Sequence, residues 1–250
     1  MRWLTTVPAS SSVGTSAVGS APASQLALNM QLRDDATLAS FLVAPEHEAL
    51  LAALRAQAEG TGEPAVYLFG AEGSGKSHLL QATCHLAPAN SSYLPLAELR
   101  TLPAADLLSG LEAQGLVCID DLDHVAGDPV WEEALFHLYN RARDSGCRLL
   151  FGAGASPRQL PLTLPDLRSR LGWGPVFQLS SPDDADKQAI LRFRARCRGF
   201  EMSVDVARFL VGRAPRGLDA LIILLDQLDA RSLADQRALT VPFVKQVLGL

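Results

Sequence analysis

Ala65-Val66-Tyr67-Leu68-Phe69 runs directly into Gly70-Ala71-Glu72-Gly73-Ser74-Gly75-Lys76-Ser77, and a helix-like stretch opens behind it. An apolar strand, a glycine-rich octet and a helix start, in that order, form the setting of a phosphate-binding loop. The glycines let successive backbone N–H groups turn inward around an anion. Lys76 adds a point charge for the outer phosphates, and the Ser77 hydroxyl can hold Mg²⁺. The octet Gly70, Ala71, Glu72, Gly73, Ser74, Gly75, Lys76 and Ser77 is therefore the first candidate nucleotide site.

A second motif supports the first. Leu116-Val117-Cys118-Ile119 reads as a buried strand and ends in Asp120-Asp121. That arrangement sets one carboxylate beside Mg²⁺, with Ser77 and Asp120 as the metal-holding pair, and another near an attacking water. An apolar strand ending in acids is common by itself. Paired with the glycine loop, it defines a P-loop nucleotide-binding core for ADP or ATP with Mg²⁺.

Strand-like and helical segments alternate outward from this core. Residues 65–69, 92–96, 116–120, 148–152 and 176–179 read as strands, which predicts an α/β fold with a parallel five-stranded sheet flanked by helices. The helix from about Pro129 to Asp144 carries Trp131, Leu135, Leu138 and Tyr139 at helical spacing, a stripe assigned to packing. Beyond Pro182 the strand signals stop. Amphipathic helices starting near Asp183, Ser203, Leu218 and Thr240 predict a small all-α second domain. The expected division is a disordered leader over 1–24, a docking peptide over 25–32, an α/β domain over 33–180 and a helical lid over 181–250.

The chain has 250 residues, 48% of them apolar, enough to bury a core in each of two domains. Its net charge is −5 and its 22 basic residues are scattered, which argues against a dedicated DNA-reading surface. The four cysteines form no C-x-x-C pair, and the five histidines have no metal-ligand spacing with them, so reduced thiols and no structural metal are expected. No apolar run has the length of a membrane helix and no signal-peptide core is present, which points to the cytoplasm. Pro8 to Ser24 is rich in Ser, Ala, Gly and Pro and reads as a leader or an over-called start. After it, Gln25-Leu26-Ala27-Leu28-Asn29-Met30 stands isolated. It reads either as a tether packing on the domain or as a linear peptide for another protein's groove, with Gln25 hydrogen-bonding and Leu26 and Leu28 filling pockets.

Phosphate loop, carboxylate-ended strand and trailing helical lid together resemble an AAA+ ATPase. Gly75-Lys76-Ser77-His78-Leu79-Leu80 and Leu167-Arg168-Ser169-Arg170-Leu171-Gly172-Trp173-Gly174 resemble the branch of the replication initiator DnaA. The likeness extends to the Hda family of DnaA regulators through Val117-Cys118-Ile119-Asp120, Ala126-Gly127-Asp128 with Trp131, Leu138-Tyr139-Asn140-Arg141, Pro157-Arg158-Gln159-Leu160, Arg194-Ala195-Arg196 and Arg198-Gly199-Phe200-Glu201.

That resemblance implies a partner, DnaA, on whose bound ATP Arg170 would act in trans as an arginine finger. It implies a second partner, the DNA polymerase III sliding clamp, bound through Gln25, Leu26 and Leu28. It leaves self-pairing into a homodimer open. No helix-turn-helix segment follows the lid, so sequence-specific DNA binding is not expected.

Two positions depart from the family pattern: Gly154 aligns with an aspartate that monitors the γ-phosphate, and Asp219 aligns with a lid arginine, although Arg216 is nearby. These departures, and Asp121 where vigorous motors carry glutamate, favour nucleotide binding over turnover, with weak discrimination between ADP and ATP. The expectation is an adaptor that limits re-initiation of replication. The alternatives are an autonomous ATPase such as a helicase loader and a degenerate protein-binding module.

Overall fold

The computed structural model describes residues 32–87, 90–213 and 217–249. Strands β1 (Ala65–Phe69), β2 (Ser91–Pro95), β3 (Leu116–Asp120), β4 (Arg148–Ala153) and β5 (Val176–Gln178) form one sheet in the order β2-β3-β4-β1-β5. Every pairing is parallel. The expected strands are present with shifted ends: β2 covers 91–95 rather than 92–96, because Leu96 starts the helical turn α3 (Leu96–Leu99). β4 runs one residue further than expected, and β5 ends one residue earlier, at Gln178.

Both faces of a parallel sheet must be covered, so each strand alternates between two buried sides rather than between core and water. Val66, Leu68, Leu116, Cys118 and Leu150 pack under α1 (Glu48–Glu59) and α2 (Lys76–Leu86). Tyr67, Val117, Ile119, Leu149 and Phe151 face the other layer, built from α3, α4 (Ala104–Leu107), α5 (Pro129–Ser145) and α6 (Pro165–Leu171). Trp131 is buried in this second layer, as the helical stripe predicts, and its indole N–H donates to the Arg100 carbonyl at 3.2 Å.

Helices α7 (Asp184–Cys197), α8 (Val204–Arg213), α9 (Leu218–Asp235) and α10 (Val241–Leu248) form the helical lid around a core of their own, including Leu191, Val206, Leu210, Leu225, Leu228 and Phe243. Local chemistry starts these helices: Asp183 and Asp186 close a capping box on α7, and Thr240 caps α10 ahead of Pro242. No helix among the described residues is long and apolar enough to cross a membrane.

Glu132 ties α5 to α6. It is 1% exposed, and its carboxylate accepts from the backbone N–H of Gly127 (2.7 Å), Thr163 (2.9 Å) and Leu164 (2.6 Å) and from the Thr163 hydroxyl (2.9 Å). Burial pushes its pKa up, but these donors outweigh burial and hold the carboxyl below its ordinary value. A carboxyl with a lowered folded-state pKa stabilises the fold above its unfolded pKa of 4.5, and that contribution is lost as pH falls through the folded value. Glu132→Gln should therefore cost about 2 kcal/mol at neutral pH, or a fall of roughly 5 °C in thermal midpoint. Melting curves from pH 7 downwards should show the gap to wild type narrowing below pH 4.5; a gap independent of pH would rule out the charged carboxylate as its source.

Candidate nucleotide site

The sheet order carries the C-terminal ends of β1, β3 and β4 to one edge, where crevices between strand ends and helix starts form ligand sites in open α/β folds. Gly70–Gly75 bridges β1 to α2 there. Gly73 (φ 73°) and Gly75 (φ 97°) take left-handed conformations that a side chain would strain. Lys76 is buried, and its ammonium donates to the carbonyls of Gly70 (2.8 Å) and Ala71 (3.0 Å) across the loop. The buried Ser74 hydroxyl oxygen has no hydrogen-bond partner among the described residues. An orphaned hydroxyl in a glycine-rich turn at the start of a helix, beside a buried lysine, fits a polyphosphate.

Asp120 is completely buried at the end of β3. Tyr93 of β2 donates its hydroxyl to one carboxylate oxygen at 2.8 Å, and the Asp121 N–H donates to the other at 3.0 Å. Gly152 of β4 leaves the carboxylate its space, since a Cβ there would lie 2.5 Å from Asp120 Oδ1. Ser77 is exposed on the first turn of α2. Its hydroxyl and the Asp120 carboxylate are hard oxygen donors of the kind that suit Mg²⁺.

Asp121 is half-buried with φ 57°. Burial, followed by the neighbouring Asp120 charge, pushes its pKa up to about 6, against smaller opposing effects of His124 and Lys76. The second carboxylate of the pair thus titrates at about 6 in the ligand-free site.

Gly154, just past the end of β4, has no side chain to present, and another residue takes its place. Asp123, from the turn after β3, accepts the Gly154 N–H at 2.7 Å. Asp219, at the start of α9, brings its carboxylate close to Gly73 of the loop, 3.9 Å from where a Cβ would project. Two acids therefore occupy the two positions where the family pattern departs. Nothing local in the sequence marked Asp123, because its role depends on the β3 and β4 ends lying side by side. Arg216, and the docking-peptide residues Gln25, Leu26 and Leu28, lie outside the described residues.

Two cavities meet at this loop. One, of ≈ 460 Å³, is lined by the loop, Asp121, Asp123, His124 and Asp219. The other, of ≈ 320 Å³, lies between Phe41–Ala44, His47, Ile190 and Ile222 and is more apolar. Gly75 and His78 line both. The first suits phosphates and the second a base.

The walls are held together by the segment before α1. Asp35 accepts from Arg194 of α7 and from Arg198 at its C-cap, and Arg198 also pairs with Asp226 of α9. Arg194 is 4% exposed and also donates to the Ser40 hydroxyl (3.0 Å) and carbonyl (3.3 Å). His78, on α2, lies between Thr37 O (3.0 Å from Nε2) and Arg194 (3.4 Å from Nδ1). A carbonyl can only accept and a guanidinium only donate, so His78 is the neutral Nε2–H tautomer. Burial, then the Arg194 charge, lowers its pKa to about 4. Asp35, Arg194 and His78 couple lid, strap and phosphate-loop helix, and their separation in sequence hid that connection.

Arg170 sits on α6 away from both cavities. Its guanidinium carbon lies 4.3 Å from the ring centre of Trp173, 5.7 Å from Phe136 and 5.8 Å from Tyr139. Its Nη1 is buried without a hydrogen-bond partner, whereas Trp173 is 61% exposed.

A glycine loop between a parallel strand and a helix, a buried carboxylate on a nearby strand and a helical lid beside the cavity define a P-loop domain of AAA+ type. Residues 32–178 match the model of the bacterial DnaA ATPase domain, and residues 184–248 match that of the Hda lid domain. The chain belongs to the DnaA-related AAA+ family, with an Hda-like lid.

Domain III of the DnaA replication initiation protein from Thermotoga maritima superposes with a TM-score of 0.70 at 23% identity, covering 87% of this chain and 97% of that one. AMPPCP-bound DnaA from Aquifex aeolicus gives 0.65 at 18% identity, covering 80% and 66%. The RuvB Holliday junction branch migration motor from Thermotoga maritima gives 0.59 at 19%, covering 81% and 67%. At these identities the likeness is one of fold.

A carboxyl with a raised folded-state pKa favours the fold below its unfolded value, 3.8 for Asp121, and loses that advantage as pH rises through about 6. Asp121→Asn should therefore stabilise the ligand-free protein at pH 7 by about 1 kcal/mol after solvent screening of a half-exposed group. Denaturant titrations at pH 7 and pH 4 should show a gain at the first and none at the second. An equal gain at both would mean that the Asp121 charge is not under strain.

Proposed function

We propose that this chain is a nucleotide-binding AAA+ adaptor that promotes hydrolysis of ATP bound to DnaA and so restrains re-initiation of replication. The observation that carries this reading is the position of Arg170, which lines neither cavity of its own chain. A guanidinium remote from the chain's own phosphate loop, on a partly exposed side chain with an exposed indole against its face, is suited to a neighbour's γ-phosphate. There it would stabilise the charge that develops during phosphoryl transfer.

The chain's own site supports binding more than turnover. Gly70 to Ser77 would hold the phosphates of ADP or ATP, and Ser77 and Asp120 would hold Mg²⁺, which neutralises phosphate charge when bound. Asp121 would lie near the attacking water. Gly154 and Asp219 provide no positive or hydrogen-bond-donating side chain toward a γ-phosphate, in keeping with weak hydrolysis by this chain itself. Gln25, Leu26 and Leu28 would dock on the DNA polymerase III sliding clamp, in the cytoplasm. Linking that contact to a DnaA contact in one chain raises the effective concentration of each. The proposed division is a leader over 1–24, the docking peptide over 25–32, the α/β domain over 33–180 and the lid over 181–250.

The test is ATP hydrolysis by purified DnaA on clamp-loaded DNA. Wild type should stimulate it, Arg170→Ala should reduce the stimulation by about 100-fold or more, and the pair Gln25→Ala, Leu26→Ala should remove its dependence on the clamp. No stimulation by wild type, together with turnover by the isolated chain that is lost in Lys76→Ala, would replace the adaptor by an autonomous ATPase.

A further inference from the structure

We infer that Arg33 supplies the second positive charge for the phosphates of the bound nucleotide, from the strap before α1. This rests on the reading that the two cavities hold an adenine nucleotide. It identifies a binding residue where the lid presents Asp219.

The charge balance calls for such a group. Glu72, Asp121, Asp123 and Asp219 line the phosphate-side cavity, against the permanent cations Lys76 and Arg33. A nucleoside diphosphate brings further negative charge to a wall already in acid excess, and Lys76 is one point charge. Arg33 lines both the phosphate-side and the base-side cavity, so its guanidinium can reach the junction where the first phosphates would lie. His78 also lines both, but it is held neutral by burial and by Arg194.

Arg33 has a fixed base and an uncommitted head. Its backbone N–H donates to the Gln81 side chain on α2 at 3.0 Å, which pins the strap to the helix that carries the phosphate loop. His85 and His78 of the same helix bond the carbonyls of Ala36 (2.9 Å) and Thr37 (3.0 Å) just downstream. Among the described residues the guanidinium, by contrast, makes only loose pairs, 3.4 Å to Asp35 and 3.9 Å to Asp226, with 46% of the side chain exposed. Exposed pairs of this kind contribute little stability. Both acids also have tighter partners, Arg194 and Arg198 for Asp35 and Arg198 for Asp226, so Arg33 can leave them at small cost. A planar guanidinium then offers paired N–H groups to phosphate oxygens.

The experiment is calorimetric titration of the full chain with ADP and ATP, and competition with adenosine, for wild type, Arg33→Ala, Arg33→Lys, Arg216→Ala and Lys76→Ala. Melting of each ligand-free variant checks its fold. The expected result is a loss of about 10-fold or more in ADP and ATP affinity in Arg33→Ala, with adenosine affinity unchanged and part of the loss recovered in Arg33→Lys. Unchanged ADP affinity, an equal loss for adenosine, or a phosphate-dependent loss in Arg216→Ala but not in Arg33→Ala would each overturn the assignment. Absence of nucleotide binding by wild type, with Lys76→Ala identical to it, would instead remove the nucleotide reading on which the assignment stands.

Discussion

Burial of the Lys76 ammonium beneath its own loop is the constraint on which the site depends. A cation removed from water must find acceptors, and here the Gly70 and Ala71 carbonyls provide them. That bond closes the turn between β1 and α2 and fixes the start of α2 over the end of the sheet. The groups around the candidate site are placed relative to this turn: Asp120 and Asp121 at the end of β3, the Gly154 backbone just past β4, and Asp219 from the lid. The site is therefore pre-shaped, with an unpartnered Ser74 hydroxyl within it.

A second constraint is electrostatic and joins three parts of the chain. Asp35 holds Arg194 and Arg198, and the strap that carries it is fastened to α2 through His78, His85 and Gln81. Arg194 is nearly inaccessible, so breaking its pairing would leave a buried charge uncompensated, which is costly. Lid orientation is thus linked to the loop helix through a segment only a few residues after the candidate docking peptide. Ligand contacts on that strap or on the lid bias the same element, the physical condition for coupling two sites.

The same economy governs α6. Glu132 neutralises the N–H groups at its entry, while Phe136 and Tyr139, on the same face of α5, support the guanidinium of Arg170 from below. One helix therefore holds both ends of the segment that presents the candidate finger. Cation–π contact with the rings holds the charge through the face of the guanidinium rather than through its N–H groups.

Much of this architecture is legible along the chain because its signals are local. The glycines at 70, 73 and 75, the apolar runs of β1, β3 and β4, the spacing of Trp131, Leu135 and Leu138, and the capping residues Asp183 and Thr240 act within a few positions of themselves. They determined the parallel α/β fold, the phosphate loop and the helical lid. Strand ends moved by a residue where competing local structure intervened, as at Leu96. What only the tertiary structure decided are the long-range pairings: Asp35 with Arg194, 159 residues away, Asp123 filling the space beside Gly154, Asp219 facing Gly73, and the aromatic bed of Arg170. No local pattern encodes these, because each partner's chemistry is ordinary in isolation. It becomes a site only when the strand order β2-β3-β4-β1-β5 and the lid bring distant side chains together.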